Sequence, residues 1–487
     1  MTRRVCILAQ EALLPDLADV LRLFLGEIEL CGAEAAEVCL RHELRDGGHA
    51  CEIAGRGAFV PQGARGRDEL EQKRFFKRAA KLAAYGALKS WTGLHPPWGA
   101  LTGIRPTRLF FEQRAQGKAA KEAEEALIEG FDLLPEKAAL LREIAGEQGA
   151  LPAPGPGEID LYIGIPFCKT RCSYCSFAAM DLRAGAKLTE PYVEALIAEM
   201  RLCAPSLKGF APRCLYVGGG TPTALSVPQL ARVLDEARAL FPGFWEFTVE
   251  AGRPDSFGAG MLKMLKEKGV NRISVNPQTM NDQTLLRIGR EHSAQETLRA
   301  FEAARELGFA RINMDMILGL PGETLKDVEA TLHALAALSP ENLTVHTLAI
   351  KRASRLRQSG ETAHSEEASA MVELAYREAK AMGMRPYYLY RQKYMAGNLE
   401  NVGYAAPGQA CAYNVGIMEE IIPNVAFGAG AISKWLYASG SRIERAPNVK
   451  SVEEYIARAP EMAARKRALW EGQDPCRLPD DKGREPR

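Results

Sequence analysis

The sequence lacks several features, and each absence narrows its class. It has no run of roughly 18 apolar residues, so no membrane-crossing helix is expected. Met1–Gln10 has no long apolar core and acidic residues soon follow, so no secretory signal is expected. Neither sign of charge prevails: 62 Lys and Arg against 61 Asp and Glu leave a net charge of +1. There is also no basic cluster with interleaved aromatics, so no nucleic-acid partner is expected and an RNA-modifying role is disfavoured. The 11 cysteines are odd in number and scattered over 487 residues, which excludes a small secreted disulfide scaffold. The expectation is a cytoplasmic globular protein of two or three domains.

One stretch stands out: Tyr162-Ile163-Gly164-Ile165-Pro166-Phe167-Cys168-Lys169-Thr170-Arg171-Cys172-Ser173-Tyr174-Cys175-Ser176-Phe177. Three cysteines at C-x3-C-x2-C spacing follow a β-rich run, and thiolates on a short loop are the ligands that iron–sulfur clusters use. A cubane has four irons, so three cysteines leave one iron for a non-protein ligand. The alternatives are zinc or three unrelated thiols. Zinc prefers four protein ligands in a structural site, and no fourth cysteine or histidine lies nearby.

The rest of the chain divides by pattern. Residues 1–150 read as an accessory α+β domain. In it are a strand at Arg4–Gln10, a helix over Leu13–Leu25, a hairpin over Glu37–Arg56 and a long helix over Asp68–Trp91. Cys6, Cys31, Cys39 and Cys51 fit no metal spacing and are read as small buried hydrophobes. Residues 151–158 form a linker rich in proline and glycine. From 159 to 350, strands at Ile159–Ile165, Cys214–Val217, Glu246–Glu250, Arg272–Val275, Arg311–Leu318 and Leu343–Ile350 alternate with amphipathic helices. Six strand–helix repeats imply parallel strands with right-handed crossovers, hence a partial, TIM-like barrel with its chemistry at the strands' carboxyl ends. Residues 351–475 read as a C-terminal α+β domain covering the substrate, and 476–487 as a frayed tail.

Other strand ends carry further candidates. Gly218-Gly219-Gly220-Thr221-Pro222-Thr223 would let backbone amides approach a ligand closely. Glu250 can accept from a ribose or an ammonium group. Asp315 lies inside the apolar strand Met314-Asp315-Met316-Ile317-Leu318 and needs a ligand or a cation as partner. Gln278 reads either as a ligand contact or as a strand-end turn, and Arg290 either as a ligand contact or as a charge on a helix surface.

The cysteine loop resembles that of the radical S-adenosylmethionine (SAM) enzymes. Taken with Gly218–Thr223, Gln278, Arg290-Glu291-His292 and Asp315…Glu323, the chain resembles the oxygen-independent coproporphyrinogen III oxidase (dehydrogenase) family. It is most similar to the Bacillus-type branch with an extra amino-terminal region. The resemblance implies a 4Fe–4S cluster on Cys168, Cys172 and Cys175, with a SAM on the open iron that yields a 5′-deoxyadenosyl radical. That SAM would touch Tyr162, Gly219, Glu250 and Ile432. A second SAM would touch Tyr174, Gly220, Thr221, Gln278, Arg290, Asp315 and Ala349. The implied reaction converts two propionates of coproporphyrinogen III to vinyl groups, giving protoporphyrinogen IX in haem biosynthesis, with reduced flavodoxin or ferredoxin as electron donor. The usual family loop has histidine where Gly164 stands.

A substrate with four carboxylates calls for cations, and Arg253, Lys351, Arg352, Arg391 and Lys434 are the candidates. The loop Trp98–Thr107, with Arg105, is suited to help close the barrel mouth. The rival reading is a haem-binding chaperone of the same family. Its His-Asn…Tyr-Trp signature is replaced here by Gly397-Asn398 and Gly403-Tyr404.

Overall fold

A computed structural model describes residues 2–63, 69–177, 179–349, 356, 365–392, 395–437 and 442–474. Lys351, Arg352 and the tail 476–487 lie outside the described residues. The chain divides into two compact units: Met1–Ala145 with His364–Ser369 and Tyr390–Glu400, and the remainder.

The first unit is built on five strands, β1 (Arg3–Leu8), β2 (Ile28–Leu30), β3 (Val38–Arg45), β4 (Gly48–Ile53) and β5 (Arg56–Pro61), in the order β2-β1-β3-β4-β5. Asp46 and Gly47, both at positive φ, make the expected turn between β3 and β4. The inward residues of alternate strand positions, Val5, Leu40 and Ile53, pack on Leu17 and Leu21 of α1 (Leu14–Leu25) and Ala83, Ala84 and Leu88 of α2 (Glu69–Thr92). Small side chains on α2 permit close approach, and a Cβ at Gly86 would stand 2.9 Å from that of Ala58. Cys6 and Cys51 are buried, and burial pushes the Cys51 thiol up to about 12, consistent with small apolar side chains. Three helices follow: α3 (Pro106–Ala115), α4 (Ala120–Phe131) and α5 (Pro135–Gly149).

The second unit holds an eleven-stranded sheet. Its centre is six parallel strands, β6 (Glu158–Ile165), then β9 (Ala211–Gly219), β10 (Glu246–Gly252), β11 (Arg272–Val275), β12 (Ile312–Leu318) and β13 (Asn342–Thr347). Strands β7 (Phe167–Cys168) and β8 (Met180–Asp181) pair separately beside the cysteine loop. Helices α6 (Leu182–Gly185), α7 (Thr189–Cys203), α8 (Val227–Leu240), α9 (Ala259–Glu267), α10 (Asp282–Arg287), α11 (Ala294–Glu306) and α12 (Leu325–Leu338) connect the strands. This is the partial α/β barrel expected from the alternation.

The boundary expected at residue 350 is not where the structure divides. After α13 (Ser365–Ala381), strands β14 (Arg385–Tyr390) and β15 (Asn401–Ala405) extend the sheet beyond β13, and β15 runs antiparallel to it. After α14 (Ala412–Glu419), strand β16 (Asn424–Phe427) adds parallel to β6. Strands β17 (Ile432–Leu436) and β18 (Ile443–Pro447) then continue antiparallel, before α15 (Val452–Trp470). Segment 390–400 belongs instead to the first unit, because its charged groups are satisfied there. Glu400, 2% exposed, accepts from Trp98 Nε1 at 2.7 Å and from Lys137 Nζ at 2.5 Å. Arg391 Nη1 donates to the Leu101 carbonyl at 2.6 Å, and its guanidinium lies over the Trp98 ring. These bonds also hold the segment Trp98–Leu101.

The amino ends of the barrel strands are closed by buried ions. Arg213 bonds both carboxylate oxygens of Asp160 (3.0 and 2.7 Å). Glu246 accepts from the amides of Ala412 and Tyr413, and Arg272 pairs with Glu246. Such charges persist in a core only when paired and hydrogen-bonded. That end is sealed, leaving the carboxyl ends for chemistry.

Replacing Glu400 with Ala leaves the Lys137 ammonium and the Trp98 indole without their acceptor. We expect a loss of about 3 kcal/mol, against a smaller loss for Glu400→Gln, read from the denaturant midpoint followed by tryptophan fluorescence.

Candidate functional site

The β6–β9 ladder sets the site. Gly164 pairs with Gly218 and Ile165 with Gly219. This register brings the cysteine loop and the glycine run, which leave adjacent strand ends, into contact. Gly220 N donates to the Ile165 carbonyl at 2.8 Å and Thr221 N to the Phe167 carbonyl at 2.7 Å. A Cβ on Gly220 would stand 2.7 Å from the Phe167 oxygen and 3.1 Å from Cys168 Sγ, so only glycine fits. Thr221 Oγ1 donates to Cys168 Sγ at 3.6 Å.

The loop is pinned elsewhere by backbone groups. Ser173 N donates to the Ile288 carbonyl at 2.9 Å. Arg253, expected to meet substrate, is 3% exposed and committed to the protein. It donates to the Thr170 carbonyl (3.0 Å) and hydroxyl (2.6 Å) and forms a bidentate pair with Asp255 at 2.9 Å. It braces the cysteine loop. Two other expected substrate cations are likewise engaged. Arg391 holds Leu101 in the first unit, and Lys434 pairs with the buried Glu420 at 2.9 Å. Each of these cations is satisfied by a carbonyl or carboxylate of the protein.

Burial, opposed by the Thr221 bond and reinforced by Cys175 and Cys172, pushes Cys168 up to about 11; burial also raises Cys175. Arg290, far from being a surface charge, is buried. It donates to the carbonyls of Asn276 (2.5 Å) and Pro277 (3.2 Å), and its charge faces Cys172 and Tyr174. Tyr174 packs against the cluster of Leu285, Ile288 and Ile317. Gln278 makes the strand-end turn, one of its two readings. Its φ of 69° makes a left-handed turn whose amide donates to the Asp315 carbonyl at 2.9 Å, while its buried Oε1 has no partner among the described residues.

Within the barrel, the Tyr162 and Tyr216 rings are stacked at 6.3 Å, and Tyr216 stacks on Tyr413 of α14 at 4.5 Å. Tyr216 Oη donates to Glu250 Oε1 at 2.6 Å. A Cβ on Gly219 would lie 3.3 Å from Tyr162 Oη, and one on Gly218 would lie 2.9 Å from Glu250 Oε1. Burial, with Asp315 adding to it against the Tyr216 bond, raises Glu250 to about 7. Asp315, expected to meet a ligand or a cation, accepts from the neutral Asn313 Nδ2 at 2.7 Å, and His346 Nε2 lies 3.8 Å away. Burial alone would raise it, but His346, Asn313 and Thr344 hold it below the usual carboxylate range. Ala349 lies half-buried two residues beyond β13, and Ile432 is exposed at the start of β17. Ile432 follows a turn whose Ala429 amide donates to Tyr192 Oη at 3.0 Å; Tyr192 donates to the Gly164 carbonyl at 2.7 Å.

Sequence reading missed Tyr216, Tyr413 and His346. Tyr216 and His346 show the signal of alternation: Tyr216 is two residues before Gly218, and Asn342, Thr344 and His346 are polar at every second position of β13.

Residues 162–335 match the Radical SAM superfamily. The oxygen-independent coproporphyrinogen-III oxidase-like protein HemZ of Bacillus subtilis is 36% identical over 462 residues, 91% of this chain and 92% of that protein. The chain belongs to this HemZ-like radical SAM family. The heme chaperone HemW of Bacillus subtilis is also similar, 34% identical over 61% of this chain and 74% of its own length. Coproporphyrinogen III oxidase (HemN) from Escherichia coli, a radical SAM enzyme, shares the fold. Its TM-score is 0.52 at 24% identity, covering 66% of this chain and 73% of that one.

The cofactors of a radical SAM protein are a 4Fe–4S cluster and SAM, and the residues present fit them. Three thiols on one short loop with two buried guanidinium groups nearby suit an electron-rich cluster, and the missing Cβ of Gly220 leaves Cys168 Sγ uncovered. Among the described residues no three His, Cys, Asp or Glu side chains converge on a single-ion site. Thiols that each take a different iron need not converge on a point.

Replacing Cys168, Cys172 or Cys175 with Ala is expected to remove iron and sulfide from the reconstituted protein. Replacing Cys203, Cys214 or Cys411 is expected to leave both; iron analysis decides it. In the cluster-free protein, the Glu250 carboxyl holds its proton up to about pH 7. An unfolded chain releases that proton near about 4.3, so this group's contribution to stability falls as pH rises between those values. An infrared carboxylic-acid band that fades with a midpoint near pH 7 is the expected signature; Glu250→Gln should weaken it and leave the part due to Glu323, which burial likewise raises to about 7.

Proposed function

We propose that the protein is a radical SAM coproporphyrinogen dehydrogenase, converting two propionates of coproporphyrinogen III to vinyl groups without oxygen. The observation that carries this reading is the lining of the barrel. Glu250, bonded to Tyr216, and Asp315, beside His346, stand on the barrel strands whose carboxyl ends carry the cysteine and glycine loops, with Gln278, whose buried Oε1 has no partner among the described residues; a binding module would need no such set. The family relationship to an oxidase-like protein over nearly the whole chain supports it.

The bound cofactors would supply a 5′-deoxyadenosyl radical able to take hydrogen from an unactivated carbon. The chain's own residues do the rest. Cys168, Cys172 and Cys175 would hold the cluster. Gly219 would offer backbone, and Tyr162 and Glu250 polar groups, to the SAM on it. Gln278, Arg290 and Asp315, with Tyr174, Gly220, Thr221 and Ala349, would hold a second SAM. The stacked tyrosines would exclude water from the floor of the site. No helix among the described residues is long and apolar enough to cross a membrane. The substrate would therefore be taken up without a membrane span, and reduced flavodoxin or ferredoxin would supply the electron.

A second reading, haem chaperone, is favoured by the 34% identity to HemW. The two separate in one anaerobic experiment with SAM, dithionite-reduced protein and either coproporphyrinogen III or haem. We expect loss of one and then two carbon dioxide molecules by mass spectrometry, accompanied by 5′-deoxyadenosine. Stoichiometric haem binding with no decarboxylated product would instead establish the chaperone.

A further inference from the structure

In the first unit, strands β1 and β3 run parallel, and their register sets Cys6 beside Cys39. Alternation along each strand fixes which way the two side chains point. Val5 and Leu40, one position away on either strand, pack on α1 and α2, so both cysteines lie on the sheet's other face. On that face their strand neighbours Arg4, Leu8 and Arg41 are exposed. Cys6 is buried and Cys39 is half-buried, so one thiol of the pair is within reach of a small solute. Burial and the neighbouring Cys39 thiol raise the Cys6 thiol above its ordinary value.

Aligned residues on neighbouring strands stand about 4.8 Å apart. That falls within the Cα separation of about 4.4–6.8 Å that a disulfide spans. The other two cysteines of this unit are turned elsewhere. The Cys31 amide and thiol both donate to the Val5 carbonyl, at 3.0 and 3.8 Å, and the Cys51 thiol donates to the Ala80 carbonyl of α2 at 3.9 Å. Among the described residues no three His, Cys, Asp or Glu side chains converge to hold a metal ion, so the pair stands as a dithiol.

We propose that Cys6 and Cys39 form a redox-active dithiol, oxidised to a cross-strand disulfide by a small disulfide of the glutathione type. The half-buried Cys39, as its thiolate, attacks one sulfur of glutathione disulfide, and the first glutathione leaves and takes up a proton. Cys6 then gives up its proton and attacks the Cys39 sulfur, and the second glutathione leaves and is protonated. The two thiols lose two electrons and two protons, and the oxidant becomes two glutathione molecules. The bond closes a loop that contains α1 and the edge strand β2. The proposal is independent of the reaction assigned to the barrel.

The test incubates the reconstituted full-length protein, under argon, with glutathione disulfide in excess over glutathione. Acid quenching, alkylation with N-ethylmaleimide and peptide mass spectrometry then locate each thiol. The wild type is expected to lose two alkylatable thiols from the first unit, with the Cys6 and Cys39 peptides joined and Cys31 and Cys51 alkylated. In Cys6→Ala the first attack remains and the second is lost, so glutathione should stay on Cys39. In Cys31→Ala the bond between Cys6 and Cys39 should form as in wild type. The proposal is overturned if wild type leaves Cys6 and Cys39 alkylated, if it keeps glutathione on Cys39 as Cys6→Ala does, or if Cys6 is joined to Cys31 or Cys51 instead. The wild-type map decides the matter even where a variant fails to fold.

Discussion

The site depends on the hydrogen-bond ladder between β6 and β9. Because Gly164 faces Gly218 and Ile165 faces Gly219, the loop with the three thiols and the loop with the glycines leave the sheet at the same height. A slip of one residue would turn Tyr162 and Tyr216 out of the barrel and move the Gly220 gap away from Cys168 Sγ. Two backbone bonds, from Gly220 to Ile165 and from Thr221 to Phe167, then lock the loops together without using a polar side chain. The Arg253 clamp on Thr170 and the Ser173 bond to Ile288 complete the hold from β10 and α10.

The barrel separates two ways of burying charge. At the amino ends, Asp160, Arg213, Glu246 and Arg272 satisfy one another and the amides of α14, closing the floor. Higher up, Glu250 accepts from the Tyr216 phenol and is raised to about 7, and Asp315 is held by Asn313, Thr344 and His346. The first set is saturated and structural. The second retains capacity for a ligand, and Gln278, held at positive φ with an unpartnered oxygen, belongs with it.

Much of this was legible in the sequence because it depends on local pattern. The six parallel strands follow from apolar runs alternating with amphipathic helices, and the thiol loop from spacing alone. The need of Asp315 for a partner followed from its apolar neighbours, and the structure supplies His346. What was not legible depends on where side chains reach. Arg253, Arg391 and Lys434 follow motifs in the chain, yet their guanidinium and ammonium groups turn to carbonyls and carboxylates distant in sequence. Likewise, nothing local marks 390–400 as belonging with Trp98. That assignment is made by Glu400, a carboxylate buried against an indole and an ammonium from other segments. His346 escaped notice because a single histidine in a strand is ordinary until the strand's inward face is known.

Cys168, Cys172 and Cys175 would hold a cluster with one iron open to SAM, beside Glu250. The most direct measurement is the electron paramagnetic resonance spectrum of the anaerobically reduced, reconstituted protein before and after addition of SAM. The structure predicts a reduced 4Fe–4S signal whose g values shift when SAM is added, with the shift weakened in Glu250→Ala. A signal indifferent to SAM at saturating concentration, from a protein holding about four irons per chain, would contradict it.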